Sequence, residues 1–456
     1  MKSIVFSLFT LLSCTPVVLS GDPVLQEIRV QLDTESPLVP IYLSSIHETG
    51  NAFPLSYLKE LEKVLEFDFN YNGATKVLPK SKEKEILLSS PEKVCSERTR
   101  LEASFAIFFS LKGTELECKA YHLSLGGQGD VRTKSFSNLS LTGSLAKDRK
   151  QLHILSDAIY KALFQKEGIA SSRILFACQS KSATPGSPWI SEIFECDWDG
   201  ENVRTVTQEK SYCVTPVFIP KEGGFSKELF LYVSYKTGQP KIFIASVDEG
   251  RGKKVVDIRG NQILPAISRQ RDKLAFICDA SGRTDLFVQS LHPETGKTGT
   301  PQQLFSYPRS TQASPTFSPD GKKIAFVSDK DGAARIYTIS SETTGKRPAA
   351  QLLTKKSRES SCPSWSPDGT KLAYSAKTEG VRQIWTYTFA TGEEKQLTYG
   401  PGNKENPCWA SDSLHIVFNS TDNTSSDLYV ANLNQPEAVK ITKGPGKKHY
   451  PTWGSR

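Results

Sequence analysis

Six times in the second half of the chain a proline is followed, two residues later, by a bulky apolar residue: Pro216-Val217-Phe218, Pro265-Ala266-Ile267, Pro315-Thr316-Phe317, Pro363-Ser364-Trp365, Pro407-Cys408-Trp409 and Pro451-Thr452-Trp453. Successive prolines are 49, 50, 48, 44 and 44 residues apart. That spacing is too long for a helical-hairpin repeat and suits a four-stranded sheet per unit.

Three further anchors share the period. Each unit opens on a run such as Arg173-Ile174-Leu175-Phe176, Lys273-Leu274-Ala275-Phe276 or Lys323-Ile324-Ala325-Phe326. A second anchor recurs as Ile193-Phe194, Ile242-Phe243, Leu286-Phe287, Ile336-Tyr337, Ile384-Trp385 and Leu428-Tyr429. Several units close on Leu353-Thr354, Leu397-Thr398 or Ile441-Thr442. Four strand signals per unit and six units predict a six-bladed β-propeller over 169–456. The array opens on a second-strand signal and ends on a first-strand signal, so the C-terminal strand is expected to pair with the first blade and remove the open edge.

The preceding part, 27–168, has mixed patterning and reads as a small α/β domain. Glu27 to Leu32 alternates like a strand, and Ser56 to Glu66 places Leu58, Leu61, Val64 and Leu65 on one helical face. Ala103–Ser110 and Thr114–Leu123 are strand-like about a Lys112-Gly113 turn, and a second helix is expected over Arg149–Gln165.

At the N-terminus Lys2 precedes an apolar run, residues 4–12, and small or apolar residues lead to Gly21, which reads as a cleaved secretory leader over 1–20. A lipidation box ending at Cys14 is the rival reading. Cleavage would leave eight cysteines: Cys95, Cys118, Cys178, Cys196, Cys213, Cys278, Cys362 and Cys408. An even number permits disulfides in an exported chain, and the pairing stays open. Cys178 and Cys278 fall inside apolar strands and read as buried, inert thiols.

The chain carries 57 basic and 49 acidic residues. A surplus this diffuse gives no footprint for nucleic acid. Nucleophile-elbow, HExxH and phosphate-loop motifs are absent, and the six histidines are scattered, so no catalytic constellation, cofactor or metal site is expected. The Ser318-Pro-Asp-Gly and Ser366-Pro-Asp-Gly segments lack the further acids of a calcium loop and read as turns. Asn138, Asn419 and Asn423 stand in glycosylation sequons, which matter only in a eukaryotic source.

The loops before the repeated prolines must share one propeller face. They hold Lys210, Arg259, Arg309, Lys355, Lys356, Arg358, Lys404, Lys443, Lys447 and Lys448 against Glu209, Glu359 and Glu405, with Tyr212, Tyr307, Tyr399, His449 and Tyr450 interleaved. Arginine and tyrosine on a concave rim commonly anchor a protein partner, and a solvated rim of ordinary lysines is the plain alternative.

The junction His153-Ile154-Leu155-Ser156-Asp157-Ala158-Ile159-Tyr160, followed by Glu167 to Ile174, is similar to the helix and linker that enter the first blade of TolB proteins, the periplasmic components of bacterial Tol–Pal envelope systems. The start Glu27 to Asp33 is also similar to theirs, and the resemblance covers the whole mature chain. It implies a monomeric, non-catalytic periplasmic adaptor, reaching the membranes only indirectly and serving envelope integrity and constriction during division. The face of inter-blade loops (here Tyr307, Arg309, Ser310, Lys355, Arg358, Lys404, Lys448, His449 and Tyr450) would receive a Pal-like peptidoglycan-associated lipoprotein. A flexible segment at 21–33, with Glu27, Ile28, Arg29, Val30 and Leu32, would engage a TolA-like inner-membrane protein. One departure falls on that face: the family's third inter-blade loop often reads aromatic-Pro-Arg-His, and here it is Tyr307-Pro308-Arg309-Ser310. The rival classes are the propeller of a prolyl-oligopeptidase-type peptidase, which needs an α/β-hydrolase domain, and a wall- or glycan-binding propeller.

Overall fold

The computed structural model describes residues 37–50, 52–88, 101–123, 132–181, 189–221, 227–343, 349–357 and 359–454. The expected leader, the segment holding Glu27, Ile28, Arg29, Val30 and Leu32, and also Cys14, Cys95 and Arg358 lie outside the described residues.

The α/β domain is built on a mixed sheet of β1 (Val39–Thr49), β2 (Thr75–Val77), β3 (Phe105–Lys112), β4 (Glu115–His122) and β5 (Arg132–Ser140), in the order β2-β1-β3-β4-β5. β1 pairs parallel with β2 and β3, whereas β3, β4 and β5 are antiparallel. Among the described residues three helices accompany the sheet: α1 (Leu55–Tyr71), α2 (Lys82–Leu88) and α3 (Leu145–Phe164). Leu58, Leu61, Val64 and Leu65 of α1 and Leu152, Leu155 and Ile159 of α3 bury against Ile41, Leu43, Ile107 and Phe109 of the sheet. The helical periodicity therefore identified the right face.

Both helices run longer than their apolar pattern. α1 continues to Tyr71 because Asp68 and Phe69, off the expected stretch, are buried by tertiary contacts. It stops where the Asn72 carboxamide accepts the amides of Ala74 and Thr75, both at 2.9 Å. Gly73 follows with φ 72°, and a Cβ there would lie 2.5 Å from Leu414 Cδ2 of the propeller. Glycine meets the backbone and the packing demand together. α3 starts at Leu145, four residues earlier than expected, because the Asp148 carboxylate accepts the amides of Thr142 and Gly143 and folds the entering turn onto the helix.

Six antiparallel blades follow. The first contains β6 (Arg173–Lys181), β7 (Trp189–Asp197) and β8 (Arg204–Thr205), and its innermost strand is the C-terminal segment Lys447–Trp453. Lys447 lies opposite Gln179 and Trp453 opposite Ile174, Gly454 donates to the Arg173 carbonyl at 2.8 Å, and the Trp453 indole donates to the Ser172 hydroxyl at 2.6 Å. The ring closes as the repeat pattern predicts.

The anchors turn out to be cross-strand partners. Phe176 faces Phe194, Tyr232 faces Phe243, Phe276 faces Phe287, Phe326 faces Tyr337, Tyr374 faces Trp385 and Phe418 faces Tyr429, one aromatic pair per blade. Such pairs lock register between the second and third strands. The closing threonines have a polar task. Thr207, Thr354, Thr398 and Thr442 accept the amides of Ile193, Ile336, Ile384 and Leu428 through their hydroxyls, satisfying third-strand donors where the outer strand departs. In the Ser-Pro-Asp-Gly turns, Ser318 donates to Asp320 and Ser366 to Asp368, both at 2.6 Å. These are the turns that the sequence implies.

The repeated proline sits inside the innermost strand rather than at its entrance. In every blade the strand register shifts at this point. The preceding residue is left-handed each time: Thr215 (φ 48°), Leu264 (53°), Ser314 (45°), Cys362 (50°), Asn406 (54°) and Tyr450 (52°). A bulge leaves a backbone position outside the ladder, and proline, lacking an N–H, fits there without losing a hydrogen bond.

The α/β domain docks on the first and last blades. The Trp198 indole donates to Asp68 at 2.8 Å and meets Phe67 edge-on at 4.9 Å. The Asn434 and Gln435 amides donate to the carbonyls of Gly73 and Asn70, and His415 Nε2 reaches the Tyr71 carbonyl at 2.7 Å. Asp157 of α3 accepts the amides of Ala170 and Ser171 in the linker.

Deleting residues 451–456 is expected to strip Ile174 and Leu175 of β6 of their strand partners and to remove a buried indole, a loss comparable to the ~3–5 kcal/mol of a core Trp→Ala. A thermal melt like that of the full chain would contradict this. Thr442→Val leaves the Leu428 amide without its acceptor. It should cost about 1–3 kcal/mol in urea unfolding, with the m-value unchanged.

Candidate functional site

The inter-blade loops divide the cations assigned to this face into two groups. Lys404 is 8% exposed and its ammonium donates to the carbonyls of Gly400, Pro401 and Gly402. Lys448, 4% exposed, pairs with Asp427 at 3.0 Å and donates to the Gly444 carbonyl at 2.6 Å. The segments Gly400-Pro-Gly-Asn-Lys and Gly444-Pro-Gly-Lys-Lys thus use a lysine to tie each loop back on itself. Burial lowers the Lys404 ammonium below the usual lysine range. Ser310 also points inward: it is buried, and its hydroxyl donates to the Tyr307 carbonyl at 3.2 Å. Of the residues expected to meet a partner, Lys404, Lys448 and Ser310 are thus buried and engaged within their own loops.

The other group faces outward. Tyr307 is 44% exposed with the Lys330 ammonium 5.7 Å from its ring centroid. Arg309 projects from a left-handed turn (φ 57°). Lys355 is exposed, while its amide is held by Glu394 Oε1 at 2.8 Å. Neither Arg309 nor Lys355 makes an ion pair among the described residues. The face's acids are engaged elsewhere: Glu209 with Lys236, Glu359 with Lys377, and Glu405 with Arg382. The exposed charge here is therefore net positive. Tyr399 lies half open on the same set of loops.

His449 and Tyr450 are half-buried, with ring centroids 6.2 Å apart. Burial and the neighbouring Lys447 lower the His449 imidazole, so it is neutral at pH 7. Burial raises the Tyr450 phenol to about 12. Tyr450 borders the central channel, a cavity of about 390 Å³ lined by the innermost strands. Its wall includes Phe218, Ile267, Phe317, Trp365, Trp409 and Trp453, the apolar members of the sixfold pattern. The channel wall thus mixes these apolar side chains with polar ones such as Thr316, Ser364, Asn406 and Arg269, whereas the loop face is cationic and aromatic.

At the domain junction a second polar group escaped sequence reading. His153, Asp197 and Asp199 are buried with potential ligand atoms within 4.8 Å of one another, the arrangement expected of residues able to hold a metal ion. Burial opposes a charge on His153, but Asp68, Asp199 and Asp197 outweigh it and raise the imidazole to about 9. His153 reads in the sequence as one of six scattered histidines, and the spacing of Asp197 and Asp199 marks no partner for it. Their meeting depends on the docking of α3.

The seven described cysteines, Cys118, Cys178, Cys196, Cys213, Cys278, Cys362 and Cys408, are all free thiols. Burial raises each above the ordinary range, which makes them poor nucleophiles. No disulfide joins them to one another. No helix among the described residues is long and apolar enough to cross a membrane.

A family model described as TolB beta propeller domain matches residues 160–351 and 343–456. A protein named Protein TolB homolog from Protochlamydia amoebophila is 46% identical over 384 residues, covering 83% of this chain and 81% of the relative. Another of the same name from Chlamydia trachomatis is 35% identical over 407 residues, covering 88% and 85%. Among solved structures, TolB from Acinetobacter baumannii superposes with a TM-score of 0.71 over 93% of this chain and 98% of that one, at 19% identity, which bears on the fold alone. Sequence identity across both domains and the matched propeller place this chain in the TolB family.

Proposed function

We propose that the chain is a non-catalytic adaptor of a Tol–Pal-type envelope system, working in the periplasm. Its propeller face would hold a Pal-like peptidoglycan-associated lipoprotein, and its segment 21–33 would engage a TolA-like inner-membrane protein. It would thereby support envelope integrity and constriction during division. The observation that carries this reading is the Tyr307–Arg309 turn with Lys355: exposed aromatic and cationic side chains beside acids already paired within the ring. A rigid aromatic with an unpaired guanidinium is the composition that dominates binding energy at protein interfaces. Ser310, Lys404 and Lys448 would shape these loops, with Tyr450 at the channel border, and His449 and Arg358 belong to the same proposed set.

Partner binding can be coupled to the N-terminal segment only if that segment has two states that the partner biases unequally. Alternating Val24, Ile28, Val30 and Leu32 suit addition to a sheet edge. Calorimetry with the soluble domain of a Pal-like lipoprotein tests the face, and the same titration with a TolA-like domain, with and without residues 21–33, tests the segment.

Arg309→Glu with Lys355→Glu should weaken the lipoprotein domain by tenfold or more, about 1.4 kcal/mol, and flatten the salt dependence, with the melting temperature unchanged. An unchanged affinity would return these side chains to a solvated rim. Lys448→Met should act on folding instead: it removes a buried charged hydrogen bond to Asp427, which keeps Lys440 and the Thr442 hydroxyl, and a loss of about 1.5–3 kcal/mol is expected in urea unfolding.

A further inference from the structure

The junction cluster lies apart from the partner face and has an internal imbalance. Asp68, Asp197, Asp199 and Arg149 are all at least nine-tenths buried, setting three carboxylates against one guanidinium. His153, 1% exposed, stands among them. Its Nδ1 donates to both oxygens of Asp68 at 2.9 Å, and Asp68 is itself fixed by the Trp198 indole. With the Nδ1 proton held by Asp68, a bound metal would displace the proton on the inward-facing Nε2. That atom makes no hydrogen bond and lies 3.7 Å from Asp199 Oδ2 and 4.0 Å from Asp197 Oδ2.

We propose that His153 Nε2, Asp197 and Asp199 form a binding site for a divalent transition cation of the zinc type. Zinc–nitrogen and zinc–oxygen bonds of ~2.0–2.2 Å place tetrahedral ligand atoms roughly 3.3–3.6 Å apart, against 3.7 and 4.0 Å from His153 Nε2 to the two carboxylates and a spread within 4.8 Å for all three, so the ligands would draw together on binding. One imidazole with two carboxylates suits zinc and its neighbours better than calcium or magnesium, which favour oxygen alone. A dication also balances the charge left when the imidazole is neutral. The carboxylate behind the ligating ring is the arrangement that orients metal-bound histidines, here supplied by Asp68. Asp199 Oδ2 already accepts from the Arg149 guanidinium and Asp197 Oδ2 from the Asn202 amide, so a cation would share each oxygen with its present donor through a second lone pair or take the carboxylate's other oxygen.

The ligands come from both sides of the junction. His153 belongs to α3, and Asp197 and Asp199 flank Trp198 at the end of β7. A bound cation would therefore stiffen the connection between the α/β domain and the first blade.

The full chain, stripped with a chelator and alkylated at its thiols, is titrated calorimetrically with Zn²⁺, and Co²⁺ serves as a spectroscopic probe. One equivalent should bind and raise the melting temperature by several degrees. The cobalt spectrum, recorded without alkylation, should lack a thiolate-to-metal band. Asp197→Asn should weaken binding by at least about tenfold, and Asp68→Asn, which leaves the ligands intact, by ~10–100-fold. Asp197 also accepts from Asn202, so Asp197→Asn should fold, and a metal-free melt close to the parent checks this. His153→Gln provides a second loss of a ligand if it does not. Absence of stoichiometric binding, a thiolate band, or affinities unchanged in Asp197→Asn and His153→Gln would each overturn the proposal.

Discussion

The pairing of Lys447–Trp453 with β6 is the contact on which the rest of the propeller depends. It joins residues as far apart as Ile174 and Trp453, so every intervening blade lies within the ring it closes. Without it β6 would present open N–H and C=O groups, and the channel wall would lack the indole of its sixth segment. The Trp453 indole bond to Ser172 also ties the closing strand to the linker that leads in from α3. Ring closure and domain docking thus meet at one place.

That meeting explains why the junction motif is so specific. His153, Asp157 and Tyr160 lie on the α3 face that contacts the linker and the first and last blades, while Leu152, Leu155 and Ile159 serve the domain's own core. One helix supports two interfaces, which leaves few positions free to vary in type. The buried charges there carry a desolvation cost that apolar packing would avoid. Their arrangement fixes the docking geometry through directional bonds to Asp68 and Trp198.

The cationic face shows how a count of charges can mislead. Lysines in loops have ammonium groups that can fold back on the backbone, and the Gly-Pro-Gly turns before Lys404 and Lys448 expose carbonyls at the right distance. These ammoniums stabilise loop conformations and present little charge to a partner. Arg309 and Lys355, in loops without that geometry, remain outward. The net potential of the face is still positive because its acids are already paired.

Periodicity alone determined the six blades, the register anchors, the turn chemistry and the direction of ring closure, because alternation and turn residues are local properties of the backbone. It also placed the apolar faces of α1 and α3. It did not determine the left-handed residue before each proline, since a bulge is created by pairing with the next strand and nothing about Thr215 or Leu264 announces it. Nor could it say which lysines turn inward, or that Asp68, His153, Asp197 and Asp199 meet. Asp68 and Asp199 are 131 positions apart, and only the docking of α3 against the first blade brings them together. Burial and opposed charges at such a distance are set by packing, so only the tertiary structure decided them.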